Sequence, residues 1–119
     1  MFKDINGDIR YKVGLHVHTT NSDGKVSPEE SARLYKEAGY DMIAFTDHWQ
    51  FGKKRVVEGL TIMSGAEYNI GGREAANGVY HIVALGCETE PDLQKTDCAQ
   101  KIVDEIGRAS CRERVSLCV

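Results

Sequence analysis

Apolar residues in this chain occur in short runs that end in polar, turn-forming stretches. The first run spans residues 11–18 and has a two-residue period, which is typical of a half-buried strand. Its apolar members, Val13, Leu15 and Val17, would occupy one face of that strand. Three later runs are uniformly apolar and too short for surface helices, so they predict buried strands. These runs are residues 42–46, 60–64 and 80–85.

Two helices are predicted, one between the first two strands and one after the last. The first begins with Ser27 as its cap and Pro28 at its first position, and Glu30 completes a capping box. Gly39 supplies the left-handed residue that ends this helix. The second helix is predicted over residues 92–104.

The elements follow the order strand, helix, strand, strand, strand, helix, which fits the first part of an α/β barrel. Lys53, Lys54 and Arg55 predict a polar connection, and residues 71–78 predict a loop or hairpin before the fourth strand. A complete eight-unit barrel needs about 200 residues or more, and this chain has 119 residues. We therefore expect the N-terminal half of a barrel. A dinucleotide-binding fold is disfavoured, because no Gly-x-Gly-x-x-Gly turn follows the first strand.

Composition and charge limit the cellular location and the binding partners that the sequence predicts. The chain is 41% hydrophobic and 28% charged, and no apolar run reaches membrane-spanning length, so no membrane partner is predicted. The formal net charge of −3 provides no basic stripe, which makes nucleic acid the less favoured partner. The N-terminus lacks the apolar block of a secretory signal, so a cytoplasmic location is expected. The four cysteines have no C-x-x-C spacing and are predicted to be reduced thiols. The oligomeric state is left open.

The C-terminal residues differ in character from the rest of the chain. Residues 105–115 run Glu-Ile-Gly-Arg-Ala-Ser-Cys-Arg-Glu-Arg-Val, which resembles the translation of a common short-read sequencing adapter. We expect residues 1–10 to be an N-terminal extension, residues 11–104 to form the domain, and residues 105–119 to be a non-native tail. The alternative is a native helix end with Gly107 as its C-cap, followed by a polar tail.

Side chains that bind metal ions stand where the predicted strands begin or end. They are His16, His18, Asp23, Asp47, His48, Glu67 and His81. Taken singly, Asp23 suits an ordinary turn, Asp47 a helix cap, and His81 a hydrogen-bonded core position. Imidazole nitrogens and carboxylate oxygens are, however, the usual ligands of Zn, Mn and Fe, and the carboxyl ends of parallel strands meet on one face of a barrel. Together these residues predict a metal cluster.

Two longer segments resemble a known family. Residues 14–24 read Gly-Leu-His-Val-His-Thr-Thr-Asn-Ser-Asp-Gly, and residues 38–48 read Ala-Gly-Tyr-Asp-Met-Ile-Ala-Phe-Thr-Asp-His. They are similar to the opening motifs of the PHP family, named for polymerase and histidinol phosphatase, and the resemblance continues to about residue 86. It implies a distorted (β/α)7 barrel, TIM-like in form, with up to three Mn, Zn or Fe ions. The family's later motifs, further histidines and an Asp-x-His pair, have no counterpart here.

The resemblance also implies a role for each candidate ligand. His16 and His18 would bind the first ion, Glu67 would bridge this ion to a second, and His81 would bind the second ion. A bridging carboxylate suits two cations about 3.5–4 Å apart, the spacing common in two-metal hydrolases.

The remaining candidates complete the predicted site. Asp23 and His48 would hold a third ion, and Asp47 would orient a ligand without binding an ion itself. The implied function is that of a metal-dependent phosphoesterase. It would cleave a small phosphate ester or a nucleotide by metal-activated hydroxide, with the 119-residue chain incomplete and inactive alone.

Three other functions stay open. An amidohydrolase also uses an H-x-H pair at its first barrel strand, a polymerase-associated exonuclease shares the ligands, and a non-catalytic PHP module would serve only structure or binding. An open sheet would moreover expose edges and apolar surface, so low stability and aggregation are expected for the chain expressed alone.

Overall fold

Nine strands and two helices make up the part of the chain that the structure, a computed structural model, describes. This part comprises residues 1–71, 78–110 and 117–118. The strands are β1 (Phe2–Lys3), β2 (Ile9–Arg10), β3 (Val13–Val17), β4 (Met42–Phe45), β5 (Arg55–Val57), β6 (Leu60–Met63), β7 (Gly65–Ile70), β8 (Tyr80–Leu85) and β9 (Leu117–Cys118). The helices are α1 (Pro28–Glu37) and α2 (Ala99–Ala109).

The larger sheet is mixed. Its order is β3-β4-β6-β5, with β3, β4 and β6 parallel and β5 antiparallel to β6. The second sheet, β7-β8-β9, is antiparallel, and β1 pairs with β2 in a short hairpin. Ala44 of β4 pairs with Met63 of β6. His48 forms a parallel bridge with Glu67, and these two residues are separated along the chain by the same number of positions as Ala44 and Met63. Strand β7 therefore continues the line of β6 and carries Glu67 past the carboxyl end of β4.

The mixed α/β class is confirmed. In the described ranges the strands form open sheets, so the (β/α)7 barrel stays a prediction. Neither described helix is long and apolar enough to cross a membrane.

Helix α1 forms as its sequence predicts. The Glu30 N–H donates to Ser27 Oγ at 3.2 Å, and Pro28 occupies the first turn. Gly39 follows the C-cap with φ of 86°, a conformation that residues with a Cβ rarely adopt. The helix buries Ala32 against a cluster that includes Ile43 and anchors the parallel strands.

A bulge breaks the two-residue period of the first strand. The register between β3 and β4 shifts between Gly14 and Val17. Val17 is buried beside Ile43, whereas Leu15 is 41% exposed and lines an open cavity on the other side of the sheet. The prediction that Val13, Leu15 and Val17 share one face is therefore wrong, because a bulge reverses the alternation beyond it.

The prediction of a polar connection through Lys53, Lys54 and Arg55 is wrong at its last residue. Arg55 begins β5, which turns back along β6 through Glu58 and Gly59. Both turn residues have positive φ, 49° and 74°, as a two-residue hairpin of the I′ type requires. The pair Val56 and Val57, followed by Glu-Gly, was the sequence signal for this hairpin.

The third apolar strand was predicted to end at Glu67, but the structure has two strands here, β6 and β7. The break between them is at Ser64, so Glu67 lies within β7 instead of at the end of the third strand. Strands β7 and β8 are antiparallel, with Gly65 opposite Leu85, which confirms the predicted hairpin. Residues 72–77 of its connection lie outside the described residues.

Helix α2 begins and ends later than predicted. The Asp97 carboxylate accepts the Gln94 N–H at 2.8 Å, and the Asp97 N–H donates to the Gln94 carbonyl at 2.9 Å. This turn delays the helix to Ala99. The helix then crosses the boundary predicted at residue 104, and Ile106 is fully buried. The foreign origin of residues 105–119 stays a prediction; residues 111–116 and 119 are not among those described.

Two hydrophobic layers hold the sheets. One lies between α1 and the parallel strands, and the other lies between α2 and the β7-β8 pair. A small third cluster, Ala44, Val83 and Leu85 with Met63 beside it, lies on the inner face, which is the face turned away from both helices. Cys87, which is buried, and Cys98 are free thiols, as predicted.

Candidate metal centre

Four imidazole rings converge on one buried carboxylate. Glu67 is 3% exposed. Its Oε1 lies 3.1 Å from His16 Nε2 and 3.4 Å from His18 Nε2. Its Oε2 lies 2.9 Å from His48 Nδ1 and 3.2 Å from His81 Nδ1. The sequence has four histidines, and all of them are in this cluster.

Asp23 closes the other side of the cluster. Its Oδ1 lies 2.8 Å from His18 Nδ1, and its Oδ2 lies 3.3 Å from His48 Nε2. Desolvation raises the pKa of Asp23, but the charges of His18 and His48 and hydrogen bonds from its own backbone and Ser22 outweigh it, so this pKa is lowered. The ionised carboxylate is therefore the favoured form, which suits cation binding.

The ring of His16 is held by a buried threonine. Thr46 Oγ1 lies 2.7 Å from His16 Nδ1 and accepts the Val17 N–H at 3.2 Å. Because Nδ1 faces this hydroxyl, Nε2 is the nitrogen that faces the carboxylate. Thr46 stands directly before Asp47 and His48 in the sequence, but it was not among the predicted site residues.

Asp47 fixes a loop. It is 3% exposed and accepts the Thr19 N–H at 2.6 Å and the Thr19 hydroxyl at 2.8 Å. Ser22 Oγ also donates to it, at 2.8 Å. Within the described residues, these bonds hold the loop that carries Asp23, and none of them reaches a histidine ring.

Asn69 is a second residue that the sequence analysis did not identify. Its Oδ1 lies 2.7 Å from His48 Nδ1, and its main-chain carbonyl accepts the Trp49 Nε1–H at 2.9 Å. An isolated Asn on a strand carries no sequence signal for this role.

Two overlapping groups have the composition and spacing of a cation site. They are His16, His18 and Glu67, and His18, Asp23 and His48, each with ligand atoms within 4.8 Å of one another. Moreover, His18 Nε2 is buried with no hydrogen-bond partner among the described residues. An unsatisfied buried polar atom is costly, and a cation between His18 and Glu67 would satisfy it. Mixed nitrogen and oxygen donors suit Zn, Mn or Fe.

The structure thus brings together all six predicted ligands. The first group matches the set predicted for the first ion with its bridging Glu67, and Asp23 lies with His48 as predicted for the third. His81 contacts Glu67 but belongs to neither group.

The fold and this cluster define a mixed α/β domain with a candidate metal centre of imidazoles and carboxylates. The chain belongs to the PHP domain family, whose model matches residues 14–107.

One solved structure similar to this chain is an amidohydrolase from Chromobacterium violaceum, solved with bound sulfate and no metal. The match has a TM-score of 0.52 and 25% sequence identity, and it covers 66% of this chain. This chain corresponds to 29% of the length of that protein. No curated protein gives a significant match.

Proposed function

We propose that this PHP domain supplies metal ligands to a phosphoesterase that acts on a small phosphorylated substrate. His16, His18, Asp23, His48, Glu67 and His81 would bind up to three divalent ions, Mn, Zn or Fe. The observation that carries this proposal is the convergence of four imidazoles on the buried carboxylate of Glu67.

Each residue of the cluster has a distinct task in this proposal. The ring nitrogens and carboxylate oxygens hold the cations, Thr46 holds the ring of His16, and Asp47 holds the loop that presents Asp23. Divalent ions bound there would lower the pKa of a coordinated water and neutralise charge on a phosphate ester.

A tetrahedral anion bound to a similar protein fits phosphate chemistry. The amidohydrolase from Chromobacterium violaceum is described with bound sulfate, which shares its shape and charge distribution with phosphate. The competing candidate is amide hydrolysis, which that protein's description favours directly. The two candidates require the same ligands and differ in the bond that is cleaved.

The activity itself belongs to the whole protein in this proposal. Since the chain corresponds to 29% of its solved relative, we propose that further segments close the barrel and complete the active site. The isolated 119-residue chain would then bind metal without turnover.

Metal binding is tested on the chain itself. The chain, loaded with Mn, Zn or Fe(II) and then desalted, should retain ions by elemental analysis. Glu67→Gln keeps the shape but removes the charge, and it should weaken binding by more than about 100-fold. Orienting partners alone are worth about 10–100-fold, so a ligand should be worth more. Glu37→Gln on the surface of α1 is the matched control. Unchanged metal content in Glu67→Gln would refute the ligand assignment.

The reaction is tested on a longer protein that contains this domain. Turnover of p-nitrophenyl phosphate, abolished by chelation and by His16→Ala, would support the phosphoesterase. Turnover of an N-acyl amide without phosphate release would establish the amidohydrolase instead.

A further inference from the structure

Asn69 contacts the turn after β4 through both its main chain and its side chain. It lies two residues after Glu67 on β7, so both side chains point to the same face of the strand. Its carbonyl accepts the indole N–H of Trp49, and its Oδ1 accepts from the ring of His48. Trp49 has a φ of 54°, which is unusual for a bulky residue and shows that this turn is held in place by its surroundings.

The surroundings of His48 determine which ring nitrogen carries the proton. Nδ1 faces two oxygens, Asn69 Oδ1 at 2.7 Å and Glu67 Oε2 at 2.9 Å. A carboxylate has no proton to donate, so the proton between these atoms belongs to Nδ1. In the neutral ring, Nε2 then carries the lone pair, and it faces Asp23 Oδ2 at 3.3 Å.

A bound cation would make Glu67 and Asn69 differ as acceptors for the His48 proton. Glu67 also lies within the group formed with His16 and His18, so its charge would be shared with an ion held there. The neutral amide oxygen of Asn69 lies 2.7 Å from His48 Nδ1 and stays available as an acceptor.

We propose that Asn69 is a positioning residue. It keeps the proton of His48 on Nδ1, so that Nε2 is offered to a cation beside Asp23. This inference rests on the proposed metal-binding function.

The experiment compares two variants of matched size. Asn69→Leu removes the acceptor. Asn69→Asp keeps an oxygen at the same place, but it replaces the amide donor with a second oxygen and adds a negative charge. The first readout is the ring ¹⁵N chemical shifts of His48 in the metal-free chain. The second is Zn and Mn affinity, measured by competition with a chelator. Asn6→Leu, in the distant N-terminal hairpin, is the control.

We expect Nδ1-protonated His48 in the unchanged chain and in Asn69→Asp. Asn69→Leu should show a mixture of ring forms and about 10–100-fold weaker metal binding, the usual loss for an orienting partner. Unchanged ring shifts and affinity in Asn69→Leu would overturn the proposal. An Asn69→Asp variant as weak as Asn69→Leu would also overturn it, and Asn69→Ala replaces Asn69→Leu if the latter does not fold.

The two proposals fail separately. If the unchanged chain binds no divalent ion, the proposed function fails, while the ring shifts of the metal-free chain still decide whether Asn69 sets the form of His48.

Discussion

His18 is shared by the two candidate cation groups, and its chemistry limits how they can be used. Its Nε2 faces Glu67, and its Nδ1 faces Asp23 at 2.8 Å. A neutral imidazole has one lone pair, so it can serve one ion at a time. With Nδ1–H donated to Asp23 Oδ1, Nε2 is free for the group with Glu67. Asp23 then retains Oδ2 for an ion shared with His48.

Asp47 provides a stability test at the residue scale. Replacing it with Ala leaves the buried Thr19 N–H and hydroxyl without their acceptor. Hydrogen bonds to charged groups contribute about 1.5–3 kcal/mol each, so Asp47→Ala should lower the unfolding free energy by about 3 kcal/mol. Urea denaturation measures this loss. Asp8→Ala, on the exposed hairpin, should change stability by less than about 0.5 kcal/mol, and an equal effect of both variants would contradict the assignment.

Cys87 and Cys98 should differ in reactivity with pH. Burial raises the pKa of Cys87, with a smaller opposing effect from its hydrogen bond with Ser110, whereas Cys98 is exposed. A raised pKa means less thiolate at any given pH, so Cys87 should be alkylated more slowly than Cys98 at pH 8. Its rate should still rise above pH 9.0, the ordinary thiol value.

Iodoacetamide labelling with site-resolved mass spectrometry measures both rates. In denaturant the two thiols should label equally. Equal labelling in the folded chain would show that Cys87 is accessible.

At the scale of elements, prediction succeeded where the signal is local. Helix α1 is bounded by Ser27, Pro28 and Gly39, each of which acts through its own backbone, so the sequence alone places it. Helix α2 was misplaced because the Asp97 turn competes with helix formation, and hydrophobic periodicity does not register a side-chain hydrogen bond of this kind.

The same distinction between local signals and long-range contacts applies to the residues of the site. The histidines and Glu67 were identifiable because few residue types bind metals and these residues lie within or beside the apolar runs. Thr46 and Asn69 were missed because their contacts join residues that are distant along the chain. The bulge in β3 was missed for the same reason, since it is defined only by pairing with β4.

The β5-β6 turn gives a paired test at this scale. Both Glu58 and Gly59 have positive φ, and a side chain at Gly59 would be strained there. Gly59→Ala should therefore lower the unfolding free energy by about 1–2 kcal/mol. Glu58→Asn should raise it, because Asn tolerates the left-handed region better than Glu does. Thermal denaturation compares the two variants, and stabilisation by Gly59→Ala would contradict the turn geometry.

At the scale of the whole molecule, the inner face of the sheets is open. A cavity of about 760 Å³ lies along this face, and its apolar lining comprises Leu15, Met42, Met63 and Leu85. Among the described residues, strand β3 is an edge of the larger sheet, so its outer backbone groups are available for pairing as well. An open apolar face beside an unpaired edge favours association between chains.

Self-association should therefore depend on Leu15, which is 41% exposed beside the cavity. Partial burial of one leucine contributes about 1.5 kcal/mol, so Leu15→Lys should weaken association by about tenfold, as light scattering across a concentration series would measure. Leu34→Lys is the matched control, because Leu34 is 45% exposed on α1 and does not line the cavity. Equal effects of the two variants would show that the contact between chains lies away from Leu15. If the unchanged chain stays a monodisperse monomer, the open face does not drive association.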